Sequence, residues 1–418
     1  MKKVKHQKST HPWLTEDVLE KVAAKQEAEG TETEKEAAEA CSEAVRTAYK
    51  QYVHRVREEL ETLPKNSKKS WVKSQELTAQ KAKVSHVPAL KGEDGTWHRT
   101  SEEKAQLLAE TFGKKYVLNA AESNEYTELT TNDEEVPDLG AGSAEEAERT
   151  LKNLREGSAT GPDGLPARVL KNCAEELAIP FLWLAERVLE TGKWPTAWCE
   201  HWIVPLFKKG ATWKAANYRG VHLTAQLGKA TERFLLKGLG VHLSSERCTG
   251  NNQFAYKKQR GARDALAYLT LTWLTGFGSS KKFVLYCSDV SGAFDRVAQQ
   301  RLVAKLRAKK VPERWVAVFS SWLRERPAQV VVGGKFSEEL KLNNMVFQGT
   351  VWGPMLWSLF YEDAARPVQE AGFTELVFAD DLNAFKEYAS VAKNEEAFNA
   401  AGTCQEKVHS WGRANQTK

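Results

Sequence analysis

A chain of 418 residues has room for two or three domains, and 41% hydrophobic against 28% charged residues is the balance of a soluble globular protein. No run of eighteen apolar residues occurs, so no transmembrane helix is expected, and the start MKKVKHQKS reads as a frayed basic end without the apolar core of a secretory leader. The six Cys (41, 173, 199, 248, 287 and 404) form no C-x-x-C pair, which argues against a zinc site or a disulfide framework and for a reduced, intracellular setting, nucleus or cytoplasm. The net charge of +5 hides an asymmetry. Residues 101–160 carry 6 Lys and Arg against 14 Asp and Glu, whereas 201–282 carry 14 against 3. The basic segment also holds Trp202, Trp213, Tyr218, Phe254 and Tyr256, a mixture suited to phosphate contacts and base stacking.

In chain order, 12–63 reads as two helices broken at Gly30, the second opened by a Thr31–Glu34 capping box and striped by Cys41, Val45, Tyr52, Val56 and Leu60. Thr100-x-x-Glu103 and Ser143-x-x-Glu146 cap two more helices, with an acidic linker between them from Glu122 to Gly142. The stiff turn Gly161-Pro-Asp-Gly-Leu-Pro166 precedes a helical stretch over 165–191, which Pro180 should split. HWIVPLF, ending at Phe207, is a strand; 227–243, 263–274 and 298–309 are helices; Val330–Val332 with Gly333-Gly334 is a strand and hairpin turn. A helix with Pro354 at its start follows Gln348-Gly349. Strands and helices mix without regular alternation, which favours an α+β fold.

Two stretches carry chemistry. Phe283–Cys287 reads as a buried strand ending in Asp289, then Ser291-Gly292 and a helix. Leu376–Phe378 and Leu382–Phe385 flank Asp380-Asp381, the pattern of a hairpin with two carboxylates at its turn. An Asp at a strand end is also a common helix N-cap, and a lone Asp-Asp pair is usually solvated surface. Two strand-end carboxylate sites in one chain fit a pair of Mg²⁺ ions, which take hard oxygen ligands.

The ordered set GPDGLP, IVPLFKKG with NYRGVHLT, QFAYKKQRGARDAL, SDVSGAFDRV, VFQGTVWGP, FADD, and Trp411 with NQTK resembles the reverse transcriptase of non-LTR (LINE-like, jockey-type) retrotransposons. The resemblance runs over roughly 145–418. It implies a right-hand polymerase: fingers and palm over 143–418, an antiparallel palm sheet carrying Asp289 and Asp380-Asp381, no thumb, and a helical and acidic region over 1–142 left from the segment between endonuclease and polymerase. It implies an RNA-directed DNA polymerase acting on an RNA template, a DNA primer and deoxynucleoside triphosphates, with two Mg²⁺ ions. The reading weighed against it is a catalytically idle remnant that binds RNA.

Site roles follow from the same resemblance. Asp289 and Asp380 are the expected metal ligands and catalytic carboxylates, with Asp381 third. Lys208, Lys209 and Arg219 would grip the triphosphate, Arg219 best because a guanidinium holds phosphate oxygens bidentately. Phe294 would gate against ribonucleotides, Gln348 and Gly349 would line the nucleotide pocket, and Lys418 would be the acid for the leaving pyrophosphate. Asp295 is expected to make a structural contact. Gly220 departs from the Pro that the family usually carries there.

Overall fold

The computed structural model describes residues 13–28, 31–63, 87–118 and 135–417. The chain divides into two compact units, Met1–His86 and Val87–Lys418. Among the described residues no helix is long and apolar enough to cross a membrane.

In the first unit, α1 (Glu16–Glu27) packs on α2 (Glu34–Thr62). Val18, Cys41, Tyr52 and Val56 are buried, and Trp13 sets its ring edge-on to Tyr49 at 5.0 Å. The expected Thr31–Glu34 box does not form. The Thr31 hydroxyl donates back to the Ala28 carbonyl, a local bond that competes with capping, and the helix starts after Thr33.

The second unit begins at Val87, well before the boundary expected at 142. The hairpin of β1 (Leu90–Lys91) and β2 (Trp97–His98) is tied on by the Lys91 N–H, which donates to the Trp213 carbonyl (2.9 Å). Helix α3 (Ser101–Lys115) buries Ala105, Leu108, Ala109 and Phe112 in the main core. Both remaining capping boxes form: Thr100–Glu103 opens α3, and Ser143–Glu146 opens α4 (Ala144–Lys152). The following helices are α5 (Ala167–Asn172) and α6 (Ala174–Thr191), so the break falls at Cys173 and not at Pro180. Pro180 lies inside α6 because Ala178, Phe181, Ala185 and Val188 form one continuous buried stripe across it. Their burial outweighs the lost backbone bond.

Two sheets carry the rest. In the first, β3 (His201–Phe207) pairs antiparallel with β4 (Tyr218–Leu223) and parallel with β6 (Arg326–Val332). The other edge of β6 takes β7 (Lys335–Phe336) and β8 (Leu340–Leu342). This mixed sheet adds to the antiparallel one that was expected. The second sheet is antiparallel throughout, in the order β5 (Lys281–Ser288), β10 (Asp381–Ala389), β9 (Thr374–Phe378). Strand β5 was expected to be buried. Among the described residues it is an edge strand, half-buried, and Leu285 and Cys287 are exposed at alternate positions, on one face of the sheet.

A ring of aromatic side chains anchors the 346–352 loop between the sheets. Trp352 lies 4.9 Å from Trp194 and 5.8 Å from Trp322, and Trp322 lies 5.0 Å from Phe347. Buried Glu232 accepts the Trp322 indole N–H (2.9 Å) and the backbone N–H groups of Val351 (2.6 Å) and Trp352 (3.3 Å). Burial raises its carboxyl pKa, and these donors pull it back down. Arg326, stacked on Phe347, bonds the His201 ring (2.9 Å), which meets the His222 ring (3.1 Å). Burial first, and the Arg326 charge second, hold His222 at about 3, so it is neutral.

Candidate active site

The register of the second sheet brings the carboxylates together. Leu382 pairs with Ser288 and Asp381 with Phe378. Asp289, one residue past the end of β5, and Asp380, in the β9–β10 turn, therefore lie at the same end of the sheet. Gly292, with φ of +70°, turns the chain after Asp289 into a single 3₁₀ turn, Ala293–Asp295, and the helix expected over 298–309 follows at Gln299–Ala308.

Both carboxylates line a cavity of about 460 Å³, which Lys208, Arg219, Phe294, Gln348 and Gly349 also line. These residues come from the end of β3, from β4, from the turn after β5 and from the anchored loop. Gly349 has φ of +98°, and a Cβ there would stand 2.9 Å from the His222 carbonyl oxygen. The His222 N–H donates to the Gln348 carbonyl (2.9 Å), so β4 and this loop are in direct contact. Phe294 stacks on Trp357 with centroids 5.7 Å apart. Two expected site residues do not line this cavity, and a third cannot be placed against it. Lys209 is exposed on the turn after β3 and does not line the cavity. Asp381 is exposed as the first residue of β10, and its charge reaches Cys287 and Asp380. Lys418 lies outside the described residues.

Tyr256 and Asp295 are among the lining residues that the sequence did not assign to the cavity. Tyr256 stands edge-on to Phe294 at 6.4 Å. Its signal was an aromatic within a basic stretch, which a core aromatic shares. Asp295 makes the expected structural contact, accepting the Gln348 side-chain N–H (3.1 Å), but it also lines the cavity. Burial pushes its carboxyl up to about 6, against the pull of Lys208, Lys115 and Arg219. The Gly220 departure also has a structural reason. A Cβ there would meet the Ile203 methyl at 2.7 Å and the Tyr116 hydroxyl at 3.1 Å, so the space that a ring would need is filled.

Burial, and then the charges of Asp381 and Asp289, raise the Asp380 pKa. Carboxylates that repel one another across a cavity offer hard anionic oxygens to a divalent cation, which would relieve the repulsion. Among the described residues, no group of three or more His, Cys, Asp or Glu is placed to hold a metal ion, so Asp289, Asp380 and Asp381 do not form such a group. The donor chemistry at Asp289 and Asp380 fits a hard cation that takes its remaining ligands from substrate and water.

Two strand-end carboxylates thus share one cavity with the basic side chains of Lys208 and Arg219. Residues 207–417 match the model of the reverse transcriptase (RNA-dependent DNA polymerase) family, and the chain belongs to that family. Its relatives are the polymerases of non-LTR mobile elements. It is 30% identical to the RNA-directed DNA polymerase from mobile element jockey of Drosophila melanogaster over 315 residues, 72% of this chain and 34% of the relative. It is 25% identical over 306 residues to the protein of the same name from Drosophila funebris, covering 70% and 33%. It is 26% identical over 228 residues to the probable RNA-directed DNA polymerase from transposon BS of Drosophila melanogaster, covering 53% and 25%. The chain thus spans about a third or less of the length of these relatives. Members of the family generally use divalent metal ions.

Proposed function

We propose that this chain extends a DNA primer on an RNA template with deoxynucleoside triphosphates. The observation that carries the reading is that Asp289 and Asp380, from separate segments, share one cavity with Lys208 and Arg219. Two Mg²⁺ ions at Asp289 and Asp380, with Asp381 as a further carboxylate, would neutralise the triphosphate and make the primer 3′-oxygen nucleophilic. Arg219 and Lys208 bind the phosphates, Arg219 through paired donors. Lys209, outside the cavity, attracts the nucleic-acid backbone. Gly349 lets the main chain approach the nucleotide closely. Asp295 fixes the side chain of Gln348 at the pocket wall. Phe294, backed by Trp357, is the gate against ribonucleotides in this reading, its ring excluding a 2′-hydroxyl and tolerating hydrogen. In this reading, 143–418 forms fingers and palm.

The experiment is extension of a primed RNA template with deoxynucleotides and Mg²⁺. Asp289→Asn and Asp380→Asn should each lower incorporation by several orders of magnitude while keeping the fold, because an amide loses the charge that holds the cation. A folded Asp289→Asn protein that extends primer at the wild-type rate would sink the assignment.

A further inference from the structure

The turn that carries Asp380 is held in a backbone conformation that its residue does not favour. Ala379 has φ of +60°, the left-handed region, where a Cβ crowds the following carbonyl oxygen. Three hydrogen bonds converge on its main chain. Its N–H donates to Gln253 Oε1 (3.0 Å), and its carbonyl accepts from Gln253 Nε2 (3.3 Å) and from Trp357 Nε1 (3.1 Å). Gln253 is itself fixed. It is 5% exposed, and its Oε1 also accepts the Ala255 N–H (3.0 Å). The chain around it lies along β9: Val377 N–H donates to the Asn252 carbonyl, and Phe254 N–H donates to the Val377 carbonyl, both at 2.9 Å.

A side-chain amide presents a donor and an acceptor together, which is what the two polar groups of one residue's main chain require. Asn is one methylene shorter, and Glu, when ionised, offers acceptors only. The Trp357 indole supports the Ala379 carbonyl through its N–H and the Phe294 ring through its face, so one side chain braces both walls of the cavity.

We propose that Gln253 is a positioning residue: its amide holds Ala379 in the left-handed conformation and thereby turns Asp380 into the cavity shared with Asp289, with Trp357 as a second support. The inference rests on the polymerase reading for its chemical meaning. Gln253 lies in the QFAYKKQRG stretch, three residues before Tyr256 of the cavity wall.

The test compares wild type, Gln253→Ala, Ala379→Gly and the double variant in primer extension, together with backbone amide exchange over 376–384. Gln253→Ala should lower kcat about tenfold, the order of the left-handed cost of an alanine, with KM for the deoxynucleotide little changed. Ala379→Gly should restore most of the lost rate in the Gln253→Ala background, since glycine takes this φ without cost. A merely structural Gln253 would not be rescued by removing a second side chain. Amide exchange at Ala379 should be faster in Gln253→Ala than in wild type. Should Gln253→Ala fail to fold, Gln253→Glu keeps the size and the acceptor for the Ala379 N–H, sets an oxygen against its carbonyl, and should show the same loss and the same rescue. An unchanged rate in Gln253→Ala, or a double variant as slow as Gln253→Ala, overturns the inference. If wild type does not extend primer, the polymerase reading falls, and exchange still decides: faster exchange at Ala379 in Gln253→Ala supports the hold, and unchanged exchange removes it.

Discussion

Asp295 is the most heavily perturbed of the cavity carboxyls, and replacing it with Asn should make the protein more stable at neutral pH. Its carboxyl is pushed from 3.8 to about 6 by burial, which exceeds the attraction of Lys208, Lys115 and Arg219 and the bond from Gln348. A shift of this size corresponds to roughly 3 kcal/mol of preference for the neutral form in the folded state. The sign follows from proton counting. Between pH 4 and 6 the folded protein holds a proton here that the unfolded chain has released. The folded state therefore loses stability as pH rises through that window, and the loss is complete above about 6. Asparagine keeps the shape and, through its amide oxygen, the acceptor for Gln348, but it does not ionise. Urea unfolding followed by tryptophan fluorescence should show Asp295→Asn gaining about 3 kcal/mol on wild type between pH 4 and pH 7.5. A difference between the two proteins that stays constant over that range would refute the reasoning.

Phe294→Val should raise the use of ribonucleotides relative to deoxynucleotides in single-nucleotide incorporation; unchanged selectivity would mean that the ring serves only to pack on Trp357. Gly349→Ala should cost roughly 1–3 kcal/mol in thermal unfolding, since its backbone is left-handed and the new Cβ meets the His222 carbonyl. Glu232→Ala leaves three N–H donors without their buried acceptor and should destabilise by about 3–5 kcal/mol in urea unfolding, with loss of primer extension as the 350–352 loop is freed.

Local patterns carried much of the site into view. Asp289 and Asp380 stand out because a carboxylate at the end of an apolar strand has no packing reason to be there, and the capping boxes at Thr100 and Ser143 are spelled within four residues. The Thr31 box has the same spelling and fails, because its hydroxyl finds a nearer carbonyl. Pro180 was read by its local cost, whereas a buried stripe on both sides keeps the helix whole. What stayed hidden depends on pairing across the chain. The partners of Asp295 and Ala379 are 53 and 126 residues away, and no spacing rule joins them. The fit of Gly220 is likewise set by Ile203 and by Tyr116, the residue that caps α3 about a hundred positions earlier in the chain.

The parallel pairing of β3 with β6 has a consequence for how this molecule can be made. His201 sits beside Ala328, and between them in the chain runs β5, which belongs to the other sheet. The two sheets are thus threaded through each other in chain order, and neither exists as a contiguous piece. On a ribosome, the first sheet waits for Leu342 to emerge and the second for Ala389. Until then, β3 presents a bare edge and β5 is unpaired. Long closures of this kind slow folding and leave strands open to other chains. A fragment cut anywhere between Ser288 and Arg326 keeps both bare edges permanently and is set to aggregate, however sensible the cut looks on a linear map.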